Sequence, residues 1–340
     1  MSRLTAQGGE KLISKQNAEL VSSEKGKLII TELDDKIIAF LVRGSRLICA
    51  TVLDPDDIGP DDIIMAVIKD VKKDIAACFI EYAEGCDGYL PLSRIPDGVN
   101  VKQGSVIPVK LFQKAQKGKR ASFTARIDYR KYKDPEELKE RAKHLGKFNY
   151  VYRSESTVFK TIDKVFKRDE YDEIVTDITV IKDLISGHFS NVRFYEDSSF
   201  SLNKLYSLRT LLDEALARKV WLKSGGFLIF DHTEALTVID VNSGKAVPSK
   251  SKDKEAATVE LNKEAAIEVC RQLRLRNLSG IMIADFINMN DEADKEEILE
   301  ILRSESEKDT EKVMVIDFTP LGLAEITRKK ELPPLYEQLN

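Results

Sequence analysis

Two apolar runs in this chain stop at an aspartate. "ALTVIDVNSGKA", Ala235 to Ala246, reaches Asp240, then Asn242 and a Ser-Gly-Lys turn, and "GIMIADFINMND" reaches Asp285. Side chains alternate along a strand, so Asp240 shares a face with Leu236, Val238 and Asn242, and Asp285 shares one with Ile281 and Ile283. In α/β sheets, ligands gather beyond the C-terminal ends of the strands. Two hard oxygen ligands converging there suit Mg²⁺, which accepts a couple of carboxylates and keeps several waters. Asn242 is then placed to hold a metal water or a phosphate oxygen. Gly244 would let the backbone approach a ligand, and Lys245 adds positive charge. Taken singly, either aspartate could instead cap a turn; the matched context favours a shared metal site. Asp317, ending "VMVIDF", has the same look and is a third candidate.

The helical stretch before Asp285 ends in "RQLRLRN", with Arg271, Arg274 and Arg276. Cations near a helix C-terminus offset its dipole, which accounts for one of them. Three so close to a metal-site candidate also fit a phosphate clamp. The three histidines, His144, His188 and His232, show no pairing that would support histidine-based cleavage.

These residues need a scaffold, and 340 residues with 42% hydrophobic and 32% charged content describe a folded chain of more than one unit. The net charge of -4 gives no global attraction to nucleic acid, so polyanion binding must come from local basic patches. The four cysteines (Cys49, Cys78, Cys86 and Cys270) contain no C-x-x-C pair and read as reduced thiols in a cytoplasmic protein. No apolar stretch reaches membrane-spanning length. The polar leader, residues 1–26, lacks the apolar core of a signal peptide, so export is not expected.

From Lys27, "KLIITELDDKIIAFLVRGSRLICATVL" predicts three strands separated by tight turns. After the acidic "DPDDIGPDD" loop, about five short strands with β-branched and aromatic residues predict a small closed barrel of the OB type. "DPEELKERAKHL" has a helix-start signature. "LNKLYSLRTLLDEALARKVWL" reads as one amphipathic helix. Beyond Gly225 the order is hairpin, long helix, strand, helix, strand, an α/β layer with partly parallel strands. "SGGF" precedes a strand and not a helix, so it is no phosphate-binding loop.

At this point "VWLKSGGFLIFDHTEALTVIDVNSGKA", "RQLRLRNLSGIMIADFINM" and "GLAEITRKK" closely resemble the catalytic region of the ribonuclease E/G family, and "AACFIEYAEGCDGYLPL" resembles its barrel more weakly. The resemblance implies a Mg-dependent endoribonuclease that hydrolyses single-stranded RNA to 5′-phosphate and 3′-hydroxyl ends, in RNA processing or decay. It implies an OB-fold RNA-binding barrel (61–127) inserted in an RNase H-like subdomain (27–60 and 156–224). A reduced 5′-sensor-like region (128–155) and a DNase I-like catalytic subdomain (225–340) complete the expected order. Asp240 and Asp285 would hold the metal with Asn242 in support, and Phe79, Tyr89 and Lys119 would contact RNA. Lys245, Arg271, Arg274 and Arg276 would add cationic contacts. Aromatics beside a basic "KGKR" turn suit base stacking, although Phe79 could equally be a core aromatic.

Three departures from the family matter. The C-x-x-C that links protomers through zinc has no counterpart, so zinc is not expected and any homodimer would form without it. The Arg-Thr of the 5′-phosphate sensor is matched only by Arg153 and Ser154, without the following Gly loop. The region between barrel and catalytic unit is also short. A rival reading is an RNA-binding or regulatory protein with little catalysis; a second is an unrelated Mg²⁺-dependent phosphotransferase.

Overall fold

The structure, a computed structural model, describes residues 25–99, 101–115, 120–246 and 254–340. It forms two compact units: Pro55–Lys160, and the described residues up to Asp54 together with Thr161–Asn340. The chain opens with a meander of β1 (Gly26–Leu33), β2 (Lys36–Arg43) and β3 (Arg46–Leu53). Asp34 and Asp35, both at positive φ, and Gly44 make its two turns.

In the Pro55–Lys160 unit, β4 (Ile63–Lys72), β5 (Ala77–Ala83), β6 (Cys86–Pro91), β7 (Val106–Gln113) and β8 (Ala121–Thr124) follow. The order β5-β6-β8-β7-β4, closed by pairing of β5 with β4, makes a five-stranded barrel, with β6 and β8 parallel. That closure removes free sheet edges and is consistent with an OB-fold. Ile68, Cys78, Ile80, Leu90, Val109 and Phe123 fill its interior. Gly88 lies flat on the Phe123 ring, where a Cβ would come within 2.6 Å of a ring carbon. Helix α1 (Pro135–His144) and β9 (Tyr150–Tyr152), which adds to β4, complete this unit with the start of α2 (Thr157–Val165).

After α2 come β10 (Tyr171–Thr176), α3 (Thr179–Ile185) and β11 (Val192–Phe194), which join the opening meander in one sheet of order β11-β10-β1-β2-β3. Strand β1 runs parallel to β10, and β10 parallel to β11. The amphipathic stretch expected as a single helix is α4 (Leu202–Tyr206) and α5 (Leu208–Leu216), broken at Ser207 in the left-handed conformation. Its last part is not helical at all: Lys219–Trp221 is strand β12. The β-branched and aromatic residues there have strand propensity, and pairing with the next strand decides the outcome.

The second sheet of this unit continues with β13 (Phe227–His232), β14 (Leu236–Asn242), α6 (Lys254–Leu275), β15 (Gly280–Asp285), α7 (Glu292–Ser306), β16 (Val313–Phe318) and β17 (Leu323–Arg328). A last helix, α8 (Leu335–Leu339), packs on the first sheet through Leu335, and Gln338 Oε1 there accepts from Thr51 Oγ1 and the Val52 N–H. The second sheet has order β12-β13-β14-β15-β17-β16, with β14 and β15 parallel. Strand β17 enters between β15 and β16, antiparallel to both. One face packs Leu228, Phe230, Ile239, Met282, Ala284 and Ile326 against Val269 and Leu273 of α6 and Ile298 and Leu302 of α7. The other face is open, with Ile281 51% exposed.

A buried ion pair seals this sheet. The Arg328 guanidinium donates to both Asp309 oxygens at 2.9 and 3.0 Å and to Asn277 Oδ1 at 2.8 Å. Both side chains of the pair are under 5% exposed (3% and 4%). Removing one partner strands a buried charge. Asp309→Ala should therefore lower the unfolding free energy by about 3–5 kcal/mol, read from urea denaturation; a loss below about 1 kcal/mol would contradict this account.

Candidate metal centre and its surroundings

The aspartates meet because of register. Asp240 and Asp285 are direct Cα partners on the parallel strands β14 and β15. Residues directly opposite on neighbouring strands point to the same face. Both lie on the open face, while Ile239, Val241 and Ala284 beside them are buried. Asn242, two residues on and so on the same face, donates from Nδ2 to Asp240 Oδ2 at 2.7 Å. One Asp240 oxygen is thereby oriented and the other left available.

Burial, and then the like charge of Asp240, raise the Asp285 carboxyl pKa. A pair that holds its carboxylates against repulsion favours a proton or a cation between them, which fits a divalent metal. Among the described residues, no group of three His, Cys, Asp or Glu forms a fuller cage. Two carboxylates with open positions suit an ion that keeps its waters. Asp317 turns inward on itself: its Oδ1 accepts from the Phe318 N–H at 2.7 Å.

The segments around the pair are fixed by groups that the sequence reading passed over. Asn262, fully buried in α6, donates to the Ile287 carbonyl at 2.8 Å and accepts from the Ile287 N–H at 3.1 Å. It thus pins the chain two residues beyond Asp285. An Asn in the interior of a long helix is poorly suited to that position by propensity alone, and this is the signal that could have found it. Gly244 serves the fold: at φ 51°, its missing Cβ would sit 2.4 Å from the Gly225 carbonyl oxygen. The turn after β14 therefore packs on the turn before β13, and Lys245, exposed, donates its N–H to the same carbonyl.

The three arginines of α6 are employed inside the protein. Arg271 binds both Glu268 oxygens and the Leu47 carbonyl of β3. Arg274, 9% exposed, pairs with Glu170, and buried Arg276 donates to Gln272 and to the Ala217 carbonyl. They join α6 to elements of the first sheet and to the segment before β12. Each guanidinium is thus bonded to acceptors of the protein itself, with 25% of the Arg271 side chain left exposed.

In the other unit, Phe79 and Tyr89 are direct partners on β5 and β6, half-buried, with ring centroids 6.3 Å apart. Phe79 lies outside the barrel core, with the Arg120 guanidinium 5.0 Å from its ring centre. Further along the barrel, the Arg94 guanidinium lies 3.4 Å over Phe112, which is 59% exposed. Lys119 lies outside the described residues. Arg153 donates to the Pro55 carbonyl and stacks near Tyr150 at 4.8 Å, while the Ser154 N–H donates to Asp62 at 2.7 Å and Lys160 donates to the Ser154 hydroxyl.

Comparison with known proteins gives the family. The model of the ribonuclease E/G family matches residues 113–331, which is more than half of the chain, and the chain belongs to that family. Ribonuclease G of Salmonella typhimurium is 46% identical over 126 residues, covering 37% of this chain and 25% of that protein. Ribonuclease E of Synechocystis is 41% identical over 139 residues, covering 41% of this chain and 20% of the relative. A chloroplastic ribonuclease E/G-like protein of Arabidopsis thaliana is 37% identical over 137 residues, covering 40% of this chain and 14% of its own. The matched segment thus spans a quarter or less of these relatives.

The raised Asp285 pKa has a thermodynamic sign. A carboxyl with a folded-state pKa above its unfolded value stabilises the fold below that pKa and loses the contribution as pH rises through it. At neutral pH without metal, Asp285→Asn should therefore melt at or above the temperature of the native protein. The rise in Tm that Mg²⁺ or Mn²⁺ gives the native protein should disappear in the variant. A variant that melts lower in EDTA and still gains stability from the metal would remove Asp285 from the site.

Proposed function

We propose that this chain is the working part of a Mg²⁺-dependent endoribonuclease that hydrolyses single-stranded RNA. The observation that supports it is the in-register pair Asp240 and Asp285 on the open sheet face. Membership of the ribonuclease E/G family adds the substrate class.

Asp240 and Asp285 would hold the metal, and a divalent cation bound there supplies Lewis acidity toward a phosphodiester and a lowered pKa for water. The chain's own groups do the rest. The Asn242 amide fixes the Asp240 carboxylate, and Asn262 fixes the strand exit after Asp285. Lys245 brings positive charge at the end of β14 for the backbone phosphates. In the reaction, water attacks phosphorus in line, the P–O3′ bond breaks, and the 3′-oxygen takes a proton. The products are a 5′-phosphate and a 3′-hydroxyl.

On this reading the barrel grips the RNA, with Phe79 and Tyr89 stacking on bases and Arg120 lying against the Phe79 ring. Lys119 would add a cationic contact, and Arg153 and Ser154 would form a reduced 5′-phosphate sensor. The strand order β11-β10-β1-β2-β3, part parallel and part meander, supports an RNase H-like first sheet, and the mixed second sheet supports a DNase I-like catalytic layer. This reading divides the chain at 27–60, 61–127, 128–155, 156–224 and 225–340, with β12 (Lys219–Trp221) pairing across the last boundary into the second sheet. Among the described residues no helix is long and apolar enough to cross a membrane. We place the protein in the cytoplasm, acting in RNA processing or decay.

Native protein, Asp240→Asn and Asp285→Asn should be compared on a 5′-monophosphorylated single-stranded RNA, with Mg²⁺ and with EDTA. Each substitution should cost about a thousandfold or more in rate, and EDTA should abolish cleavage. RNA that binds but stays whole with native protein and Mg²⁺ would instead favour a binding protein without chemistry.

A further inference from the structure

The open face that holds the aspartates continues toward the sheet's free edge. Lys219 of β12 pairs with Ile229 of β13, which pairs with Asp240, which pairs with Asp285. One row of side chains on one face therefore runs from Lys219 to the carboxylate pair. The neighbouring row runs Trp221, Phe227, Asn242. Burial agrees with this facing: Leu228 and Phe230 are buried in the core, while Phe227 and Ile229 are half-buried and Lys219 and Trp221 exposed.

Those edge residues form one unit. The Lys219 ammonium sits 3.8 Å from the Trp221 ring centre and 3.6 Å from that of Phe227. The two rings meet edge to face at 5.2 Å. No carboxylate among the described residues lies within ion-pair distance of Lys219; the nearby Asp231 is taken up in a bidentate pair with Arg218. Trp221 is 64% exposed, and it is the chain's one tryptophan. On the far side of Phe227 the turn of Gly244 brings its backbone close, the Cβ position of Gly244 lying 3.5 Å from the ring, with exposed Lys245 next in sequence.

We infer that Trp221, Phe227 and Lys219 form a nucleotide subsite for single-stranded RNA on the catalytic sheet itself, beside the carboxylate pair. A base stacks on the free face of Trp221, and the Lys219 ammonium takes the adjoining phosphate. Two strand spacings, about 10 Å, separate Lys219 from Asp240, which suits a nucleotide close along the strand to the one being cut. A stacked aromatic reads no base edge, so the subsite accepts any unpaired base and refuses a duplex. The inference rests on the reading that this face handles RNA.

The sole tryptophan gives the test a direct signal. In an Asp240→Asn background, which keeps the RNA whole, a dye-labelled single-stranded oligoadenylate is titrated while Trp emission and dye anisotropy are followed. Trp221 fluorescence should be quenched with the same midpoint as the anisotropy rise, and a duplex of equal length should give little quenching. Trp221→Ala should weaken binding about tenfold and Trp221→Phe recover most of it; Lys219→Ala should weaken binding and flatten its salt dependence. Emission unchanged at saturating RNA, or Trp221→Ala binding like its parent, overturns the subsite. A protein that binds with quenching but has no nuclease activity without the Asp240 substitution keeps the subsite and loses the proposed chemistry. One that cuts RNA with unquenched Trp221 does the reverse.

Discussion

The sheet that carries the aspartate pair depends on one strand register. Asp240 and Asp285 face each other across β14 and β15, and nothing in their own chemistry favours that arrangement. Partial burial and then the like charge of Asp240 raise the Asp285 pKa, so the pairing is imposed by the rest of the sheet. A slip of one residue would turn every side chain of a strand to the other face. It would put Asp240 into the core and Ile239 into water. The buried row of Ile239, Val241, Met282 and Ala284 against α6 forbids that slip. Gly226 tightens the lock: a Cβ there would come within 2.6 Å of Leu261 in α6 and 2.9 Å of the Asn242 carbonyl. The local strain of a like-charged pair is small beside the apolar area that would be exposed by relieving it.

That constraint explains what could and could not be read in the sequence. The strands ending at Asp240 and Asp285 were legible because alternation and the stop of an apolar run are local patterns, and α6 and α7 were legible from periodicity. The insertion of β17 between β15 and β16 was not, since strand neighbours are chosen by contacts far apart in sequence. The strand at Lys219–Trp221 was hidden inside an apparently helical stretch, because the break at Ser207 and the pairing with β13 leave no strong mark in composition. Gly244 was singled out for a close backbone approach, and the approach the structure shows is to the Gly225 carbonyl.

The arginines teach a related lesson about charge. Arg271, Arg274 and Arg276 looked like a clamp because three cations lay near a carboxylate pair in sequence. A guanidinium removed from water must find acceptors, and Glu268, Glu170, the Leu47 carbonyl and the Ala217 carbonyl supply them. These bonds reach from α6 to β3, to the residue before β10 and to Ala217, two residues before β12, so they hold the two sheets of this unit in one framework. Proximity in sequence to a site says little about an arginine until its burial is known.

It follows that cationic help for a phosphate chain on this face has to come from side chains that stay in water. Lys219 and Lys245 meet that condition, one at each side of Phe227. Lys219 is also held by two aromatic rings and, among the described residues, by no carboxylate, which keeps its charge available while restricting where it points. A chain with net charge -4 can in this way present a local positive edge next to a pair of carboxylates without a basic surface overall. The opposed charges lie along a single row, cation at the sheet's edge and carboxylates two strands in. Such a row orients a polyanion: its phosphates are drawn to the edge and repelled at the centre, unless a divalent cation bridges the gap. On the proposed reading, metal and RNA would be bound as one problem, each lowering the electrostatic cost of the other.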